Sequence, residues 1–583
     1  MPKTFKTDVP ALRRRLDARA ASMRLEREPH EAVWRELASH FEPRFGRPLT
    51  DGTDTAPHNS QAAIRDDKII NSAPRAALSR LGSGMQGGIT SPSNQWFRIT
   101  VDTPDLTERP EVKNWLDDCT RLMAAAFSAS NIYTALHQMY RHLGCFGTSA
   151  AIVVPDPESG LRAILLDEGS YWLASNNRGR INRLMRQFSI TASQIVDEFG
   201  HDAAIAHTAV KDALDRKADE TYFTVCHLIE PHNPAAEPKI ADIDSTAKFS
   251  SVYWLRGAPA DQLLAIRPFK YNPILAPRWD ILAGSYGTGP GHVALSDAKE
   301  LQRLETDLLA AIAKSVNPPL TAPDSMRDEP INAFPGGITF RQDGGIDPDR
   351  RPSLAPLYEM RISTADIRAQ IDAVERRIER TFFSDLFAMM LNLNSRPKVM
   401  TAREVVELSQ EKMSLLGPVL TAMNTDLLDP LIDAAFSILY EAGRLPPAPD
   451  TISGVPLSVR YVSVLHTEQQ STSRLGSMIR LMDFVGMIAP ADPSCIDKFD
   501  AAQAIDEAAD VLAVPGRVIR SDADVAGLRK SRAEAQQQAQ MAASMAAAAQ
   551  AARAARDLSE TRLGGNSALD AINQTIIAGA QTP

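Results

Sequence analysis

The spacing of apolar residues predicts helices over the first quarter of the chain. Between residues 9 and 45, leucines and aromatic residues recur at helical intervals among many arginines and glutamates, which is typical of an amphipathic helix. Pro29 is expected to interrupt this helix and Pro43 to end it, because proline lacks the backbone donor that a helix interior needs. The same period returns at 61–84 and at 111–143, so further helices are predicted there.

Further along the chain, the pattern changes to short runs of β-branched and aromatic residues, which predict strands. Asn176 to Gly179 supply a turn inside this region, so a hairpin is expected around them. Thr191 and Gln194 form a capping-box pattern that begins a short helix. The strands are predicted at 151–154, 162–167, 171–174, 181–188, 221–230, 249–256 and 263–269. Residues 1–285 are therefore expected to form an α+β region.

Two long amphipathic helices are predicted in the middle of the chain. The first, at about 294–316, has one apolar stripe and is stopped by consecutive prolines after Asn317. The second, at about 360–391, reaches roughly 48 Å at 1.5 Å per residue, and the face opposite its apolar stripe is densely charged. The stripes consist of Leu301, Leu304, Leu308 and Ile312 in the first helix and Ile371, Val374, Ile378 and Phe382 in the second. From this pattern alone, an antiparallel helical hairpin with an ordinary polar loop is the favoured interpretation.

Two segments beside these helices lack helical periodicity. Residues 317–356, between the helices, contain eight of the 39 prolines and two Gly-Gly pairs, which predicts a compact non-helical insert. Residues 392–399, after the second helix, form a short break that carries Arg396 and Lys398 in a stretch without acidic residues. A further helix is predicted to begin at the capping-box pattern of Thr401.

The C-terminal part is predicted to be mainly helical. Strand-like residues at 455–465 precede helices that continue to about 513. Half of the segment 531–556 is alanine, so this segment is helical by propensity but has too small an apolar stripe to pack without neighbours. Residues 557–583 are expected to be disordered. The predicted fold class of the whole chain is α+β and mainly helical.

Composition and charge narrow the possible function classes. The 583 residues are 44% hydrophobic and 23% charged, which is typical of a globular protein. The 63 lysines and arginines are outnumbered by 72 acidic residues, and the net charge of −9 excludes a uniformly basic nucleic-acid binder. Any contact with nucleic acid must therefore be local, or must avoid tight binding altogether. The first residues lack the apolar core of a signal peptide, and no apolar run is long enough to span a membrane.

No motif in the sequence indicates catalysis. The Gly-x-Gly-x-x-Gly sequence at 82–87 follows a helical pattern instead of a strand, so it is interpreted as a glycine-rich turn and not as a dinucleotide site. No Gly-Lys pair occurs, which excludes a Walker A loop. His137, His142 and Cys145 lack a fourth ligand at a standard zinc spacing, and the four cysteines are too far apart for a disulfide framework. No cofactor, metal site or enzymatic activity is predicted.

Several stretches combine short elements that are specific only together. They include Trp96-Phe97, the Tyr-Gly-x-Gly-Pro element at 286–290 and the Met-Thr-Ala-x-Glu-Val element at 400–405. The stretches lie at 66–99, 140–154, 273–305, 317–320 and 400–420, and with their spacing they cover most of residues 10–445. In these residues the chain resembles the portal, or head-to-tail connector, of short-tailed bacteriophages.

The resemblance implies a ring of twelve subunits at one vertex of the capsid, with a central channel for double-stranded DNA. The terminase large subunit and later the tail adaptor proteins would dock on this ring, which would also contact major capsid and scaffolding proteins. The protein would be a virion component that is assembled in the host cytoplasm. The implied parts are a wing at 1–285, two stem helices within 286–316 and 357–391, a clip at 317–356, a tunnel loop at 392–399, wing and crown helices at 400–520, and a barrel helix with a disordered tail at 521–583.

The same resemblance gives each part its expected site residues. The tunnel loop would contact DNA phosphates weakly and without sequence preference through Asn392, Asn394, Arg396 and Lys398. Docking of partner proteins at the clip would involve Arg327, Asp328, Glu329, Arg341, Asp343, Arg350 and Arg351. The eight stem-stripe residues named above would pack between adjacent subunits, because a single chain is not expected to bury them.

A DNA-conducting structural ring is therefore the leading hypothesis. The first alternative is an adaptor or scaffold ring that bridges head and tail without conducting DNA. A packaging ATPase comes third, and the missing Walker A loop argues against it.

Overall fold

The computed structural model describes residues 6–43, 68–103, 109–235, 240–281, 284–316, 320–321, 355–356, 364–391, 416–452, 454–462, 478, 481–488, 500, 503–505, 508, 522–560, 562–563, 566–567, 572 and 574–575. The chain divides into two units, Met1–Phe499 and Asp500–Pro583. The first unit combines helices with antiparallel sheets, which confirms the predicted α+β class. The second unit is dominated by one long helix.

The first helices of the chain follow the predicted pattern only in part. The predicted run at 111–143 is divided in two at residues 130–131, two short helices between residues 201 and 215 were not predicted, and residues 61–67 lie outside the described ones. The helices are α1 (Val9–Phe41), α2 (Ala73–Ile89), α3 (Pro110–Ala129), α4 (Ile132–Phe146), α5 (Ala192–Phe199), α6 (His201–Ile205) and α7 (Thr208–Asp215). Helix α1 is capped by the Asp8 side chain and continues through Pro29. The predicted interruption at Pro29 is wrong, because side chains buried on both sides of it, such as Met23 and Trp34, hold the helix against the core.

The predicted strands form two antiparallel sheets. Two strands that were not predicted are β1 (Phe97–Val101), which lies in neither of these sheets, and β9 (Ile274–Leu275), which lies in one of them. The seven predicted strands are β2 (Ala150–Asp156), β3 (Gly160–Leu166), β4 (Tyr171–Ser175), β5 (Ile181–Thr191), β6 (Tyr222–Pro231), β7 (Phe249–Leu255) and β8 (Ala265–Phe269). The larger sheet has the order β4-β5-β6-β7-β8 and the smaller has the order β3-β2-β9. The hairpin at Asn176 is confirmed as the β4–β5 connection. The capping box is also confirmed, because Thr191 and Gln194 each donate a backbone amide to the other's side chain.

Helix α1 covers one face of the five-stranded sheet. Its apolar residues, such as Met23, share a cluster with Trp172 and Trp254 of the sheet. The guanidinium of Arg13 lies 4.8 Å from the centre of the Trp254 ring, and that of Arg27 lies 4.2 Å from the centre of the Trp172 ring. Part of the arginine-rich pattern of α1 is therefore used for packing inside the fold.

The glycine motif that was interpreted as a turn lies inside helix α2, so that interpretation is wrong. A β-carbon on Gly82 would lie 2.5 Å from Cγ of Arg141, and one on Gly84 would collide with the Phe387 ring. A β-carbon on Gly87 would meet no atom within 4 Å. The first two glycines thus allow other side chains to pack closely against α2, at the cost of a lower helix propensity.

The long predicted helix at 360–391 is divided in two. The helices of this region are α8 (Pro290–Val316), α9 (Thr364–Thr381) and α10 (Ser384–Leu391). At the division, Phe383 has a φ of 55°, which residues other than glycine rarely adopt. This turn places Phe382 against Phe41, with ring centroids 5.5 Å apart, and Phe383 against Trp279, at 6.1 Å. Burial of these aromatic rings overrides the helical period of the sequence.

The first unit is completed by a helical region and a returning strand. The helical elements are residues 416–423, a π-helical turn (Asn424–Leu428), α11 (Asp429–Glu441) and residues 481–488. Strand β12 (Leu457–Tyr461) lies within the predicted strand at 455–465 and pairs antiparallel with β1. Ile99 is opposite Val459 in this pair. The sequence signal for this strand is therefore confirmed, and its partner comes from a much earlier part of the chain.

The second unit contains the predicted alanine-rich helix. Helix α12 (Asp522–Glu560) includes all of 531–556, which confirms the helical prediction. Its Met541 and Met545 side chains are 56% and 73% exposed. The tail that was predicted to be disordered contains a short antiparallel pair, β13 (Arg562–Leu563) and β14 (Asn566–Ser567).

Candidate functional site

The apolar stripes of the two long helices are largely buried within one chain. Leu301, Leu308, Ile371, Val374, Ile378 and Phe382 are buried in the main hydrophobic cluster, Leu304 is partly buried against it, and Ile312 is exposed. The reason given for placing these residues between subunits, that one chain cannot bury them, is therefore wrong for six of the eight. A role of this region in subunit packing has to rest on other side chains.

Helices α8 and α9 lie side by side and run in opposite directions. Arg377, near the end of α9, pairs with Glu300, near the beginning of α8, at 2.6 Å. The side-chain amide of Asn71, just before α2, donates to Glu305 at 2.8 Å and to Glu375 at 2.7 Å. The antiparallel arrangement predicted from the pattern is confirmed. The carboxylates bridged by Asn71 also tie the helix pair to the rest of the first unit.

The distal ends of this helix pair are joined by a short strand pair. Strands β10 (Leu320–Thr321) and β11 (Ala355–Pro356) are antiparallel, with Leu320 opposite Pro356 and Thr321 opposite Ala355. The segment between these two strands therefore starts and ends at the same place. Most of the predicted clip lies between these two strands in the sequence.

The glycine-rich element before α8 fixes where that helix begins. A β-carbon on Gly147, which ends α4 with a φ of 72°, would lie 2.6 Å from the carbonyl oxygen of Gly287. The Gly287 amide donates to Oγ1 of Thr148 at 2.8 Å in a buried position. Gly291, in the first turn of α8, lies directly against the backbone of Cys145. The Tyr-Gly-x-Gly-Pro element therefore attaches the beginning of α8 to the end of α4.

Arg278 and Asp426 form a buried ion pair in the first unit. Nη2 and Nε of Arg278 donate to Oδ2 of Asp426 at 2.9 Å and 3.1 Å, and Nη2 also donates to the Gly179 carbonyl at 2.7 Å. The two charged side chains are only 2% and 8% exposed. Burial raises the pKa of Asp426, and the charge of Arg278 opposes that shift. The pair holds the π-helical turn, the β4–β5 turn and the segment after β9 in one arrangement.

Some large apolar side chains remain exposed on the first unit. They are Val293, Leu309, Ile312 and Val316 on α8, and Leu481, Met482, Phe484, Met487 and Ile488 on the helical residues 481–488. Leu309 and Val316, at 54% and 78% exposure, lie near the distal end of α8. Exposed apolar side chains at helical spacing, such as Leu309, Ile312 and Val316, are typical of sites of protein association.

The helix pair carries almost no net charge. Helix α8 has four acidic and three basic residues and helix α9 has four of each, so their combined formal charge is −1. Arg368, Arg376 and Arg380 of α9 form no ion pair within the described part of the chain. A net charge near zero gives the helix pair little overall attraction for DNA phosphates, and these three arginines offer only local contacts.

The predicted tunnel-loop and clip residues lie outside the described residues. They are Asn392, Asn394, Arg396 and Lys398 of the loop and Arg327, Asp328, Glu329, Arg341, Asp343, Arg350 and Arg351 of the clip. The helix start predicted at Thr401 is outside them as well. The roles of all these residues stay predictions.

The histidine that was considered as a metal ligand has a hydrogen-bonding role. His142 Nδ1 lies 3.3 Å from Glu168 Oε1, and the Tyr171 hydroxyl donates to Glu168 Oε2 at 2.7 Å. Burial raises the pKa of this carboxyl. Among the residues described, no group of three His, Cys, Asp or Glu side chains is placed to hold a metal ion. In the same residues, no helix is both long and apolar enough to cross a membrane.

Comparison with known families defines the class of protein. The family model described as "Bacteriophage head to tail connecting protein" matches residues 13–519. The chain therefore belongs to the bacteriophage head-to-tail connecting protein family. This is a family of structural connectors and not of enzymes.

Individual relatives are portal proteins. The "Probable portal protein" of Bordetella phage BPP-1 is 37% identical over 532 residues, which cover 90% of this chain and 92% of the relative. The "Portal protein" of Salmonella phage epsilon15 is 36% identical over 569 residues, covering 96% and 97%. The predicted resemblance to portals of short-tailed phages is thereby confirmed. A solved structure titled "Neck of empty GTA particle computed with C6 symmetry" is 11% identical, covers 74% of this chain and 90% of its own, and has a TM-score of 0.32, which is too low to support a structural argument.

Sequence reasoning missed the residues that fix the helix pair in place. Gly287 and Gly289 were recognised as part of the 286–290 element, but nothing in the sequence identified Gly147 as their partner or Cys145 as the partner of Gly291. The Arg278–Asp426 pair gave no sequence signal, because a buried ion pair looks like two ordinary charged residues until the fold brings them together.

Proposed function

We propose that the chain is one subunit of a closed ring of about twelve copies at a capsid vertex, through which double-stranded DNA passes during packaging and ejection. The observation that carries this proposal is membership of the head-to-tail connecting family over residues 13–519. The antiparallel pair α8–α9 would form the stem of each subunit. The terminase large subunit would dock on the ring during packaging, followed by tail adaptor proteins, and capsid and scaffolding proteins would surround it. The ring would assemble in the host cytoplasm and remain in the virion.

The strand pair β10–β11 supports a projecting clip. Because both ends of residues 322–354 meet at this pair, the segment between them is attached to the stem at one narrow place. Its proline and glycine content and its charges suit an exposed surface better than a core. The clip would therefore be the surface that binds terminase and later the tail adaptors.

The electrostatics of the stem support passage of DNA without a firm grip. Phosphate contacts dominate protein–DNA affinity, so a conduit needs few of them along its length. The near-neutral α8–α9 pair meets this requirement. Arg396 and Lys398, repeated around a ring, would supply a band of weak contacts that do not depend on sequence.

Ring assembly is the first expected outcome. The purified protein should elute as one large closed species in size-exclusion chromatography with light scattering, and Leu309→Glu with Val316→Glu should shift it towards single chains of 63.6 kDa. The physical reason is that these exposed apolar side chains would be covered by a neighbouring copy, where added carboxylates would be desolvated. Arg303→Glu makes the same change in net charge on the same helix and should leave assembly intact, because Arg303 is a charged, 85% exposed side chain that needs no neighbouring copy to cover it. A wild-type protein that stays a single chain at every concentration would contradict the proposed ring.

The second expected outcome concerns the tunnel loop. Arg396→Ala with Lys398→Ala should leave ring assembly unchanged and reduce the amount of DNA packaged in heads or its retention there. Each exposed contact contributes only about 0–1 kcal/mol, so the effect depends on repetition around the ring. The matched control is Lys211→Ala with Arg216→Ala, which removes two exposed basic residues at α7. Normal DNA content and retention in the loop variant would favour the alternative, an adaptor ring that does not conduct DNA.

A further inference from the structure

The turn between β4 and β5 carries two exposed arginines on a fixed backbone. Oδ1 of Asn176 accepts hydrogen bonds from the amides of Arg178 and Arg180 at 2.9 Å and 3.0 Å, and the Asn176 amide donates to the Arg180 carbonyl at 2.8 Å. Gly179 has a φ of 74°, and its carbonyl accepts from the buried Arg278. The turn is therefore held from both sides, while the side chains of Arg178 and Arg180 are exposed to meet a ligand.

Two further arginines lie on the elements that adjoin this turn, β5 and the helix that packs on β4. Arg183, near the beginning of β5, is half-buried, and Arg19 is exposed on helix α1, which crosses this face of the sheet. Burial and then the nearby charge of Arg19 lower the pKa of Arg183, and Glu230 opposes that shift. Glu230 is already paired with Arg15 at 2.5 Å. The Arg19 and Arg183 charges therefore repel each other, and a bound anion would reduce that repulsion.

Four arginines of this region form no ion pair within the described ranges, namely Arg19, Arg178, Arg180 and Arg183. Asp426 is close enough for the charge of Arg180 to oppose the rise in its pKa that burial causes, but its carboxylate is already hydrogen-bonded to Arg278. Nε of Arg183 is buried without a hydrogen-bond partner among the same residues. A buried guanidinium N–H without an acceptor is unfavourable, so a ligand that supplies oxygen acceptors would be stabilised here. On a chain with a net charge of −9, this is a local concentration of positive charge.

The composition of the turn selects the chemistry of the ligand. Residues 176–183 contain three asparagines, three arginines, one glycine and one apolar residue, Ile181, which is buried. A protein partner would be expected to bind a surface with an apolar or aromatic centre. Amide and guanidinium donors without such a centre match phosphate and sugar oxygens. An extended polyanion with regularly spaced phosphates fits four arginines better than a single small anion.

We propose that Arg19, Arg178, Arg180 and Arg183 form a second phosphate-binding surface, on which double-stranded DNA binds without sequence preference. This surface goes beyond the proposed channel contact, because it lies at the β4–β5 turn and does not include the tunnel loop. It uses the arginines as bidentate donors, which is the geometry that guanidinium groups offer to phosphate.

The test measures duplex binding by purified full-length protein. A short fluorescent duplex is titrated with wild type and with Arg178→Ala plus Arg180→Ala, and anisotropy is followed between about 50 and 200 mM salt. The variant should lose about tenfold in duplex affinity, and the slope of log affinity against log salt should fall by about two, one for each phosphate contact removed. Arg178→Lys with Arg180→Lys keeps the charge and should recover most of the affinity but not all of it. Arg178 and Arg180 are both exposed, so the substitutions should not disturb folding, and light scattering checks that assembly is unchanged.

The controls separate this surface from a general effect of charge and from the tunnel loop. Lys211→Ala with Arg216→Ala lowers the net charge equally and should leave affinity and salt slope as in wild type. Equal losses in both variants, or no loss in the turn variant, would overturn the proposal. Binding of a polyglutamate peptide that depends on the turn, without duplex binding, would also overturn it and would indicate an acidic protein partner instead. If only Arg396→Ala with Lys398→Ala weakens duplex binding, this inference fails while the proposed channel contact stands.

Discussion

Replacing Asp426 by alanine is expected to lower the free energy of unfolding by about 3–5 kcal/mol, the largest effect of a single substitution that we predict. The change would leave the Arg278 guanidinium buried without a counter-charge, and Nη1 of that residue already lacks a hydrogen-bond partner within the described part of the chain. The π-helical turn and the β4–β5 turn would lose their common attachment as well. Urea unfolding followed by tryptophan fluorescence measures the loss.

Two further variants test the cause of that effect. Asp118→Ala removes an exposed ion pair with Arg121, at 2.8 Å, and should change the free energy of unfolding by about 0–1 kcal/mol. Arg278→Met combined with Asp426→Leu removes both buried charges and should be much less destabilising than Asp426→Ala alone, because no unpaired charge remains. Similar losses for Asp118→Ala and Asp426→Ala would show that the buried pair has no special role.

Replacing Gly291 by alanine is expected to lower the free energy of unfolding by about 1–3 kcal/mol. The added methyl group would lie 2.9 Å from the carbonyl carbon of Cys145 and would overlap its oxygen. These are backbone atoms of α4, so relief requires the beginning of α8 to move. The measurement is the urea midpoint of the purified variant, together with light scattering, because a displaced α8 should also impair assembly.

The control for this substitution is Gly87→Ala in helix α2. A β-carbon at Gly87 meets no atom within 4 Å, so only helix propensity changes. Alanine at this position should raise the free energy of unfolding by about 0.5–1 kcal/mol. Opposite signs for the two glycine substitutions are the expected result, and equal stabilisation by both would rule out the close approach of α8 to Cys145.

Elements decided by neighbours in the sequence were predictable. The capping box of Thr191 and Gln194, the hairpin at Asn176 and the alanine-rich helix all depend on residues within one or two turns, and all three are confirmed. The wrong predictions concern residues whose conformation depends on contacts with parts of the chain that are distant in the sequence. Pro29 stays in a helix because the core holds α1 on both sides of it, and Gly84 lies in a helix because it makes room for an aromatic ring from a distant part of the chain.

The candidate site was predictable only in outline. The first long helix and the antiparallel arrangement follow from the sequence pattern, whereas the division of the second helix at Phe383 does not. A stripe such as Ile371 and Ile378 also does not reveal whether the same chain or a neighbouring subunit covers it. The attachment of the helix pair depends on residues far apart in the sequence, such as Arg278 and Asp426, which are 148 positions apart. No local pattern could have paired them.

The strand pair β10–β11 has a consequence for how this protein can diverge. Adjacent strands lie about 4.8 Å apart, so the segment 322–354 starts and finishes at nearly one point. A segment attached in this way is expected to tolerate changes of length, because each doubling of the length of a flexible loop adds only about 0.6 kcal/mol of closure entropy. Recombination between phages could therefore replace the whole segment 322–354, while helices α8 and α9 keep their packing. The same geometry makes the pair a natural point for grafting a foreign peptide or an affinity tag.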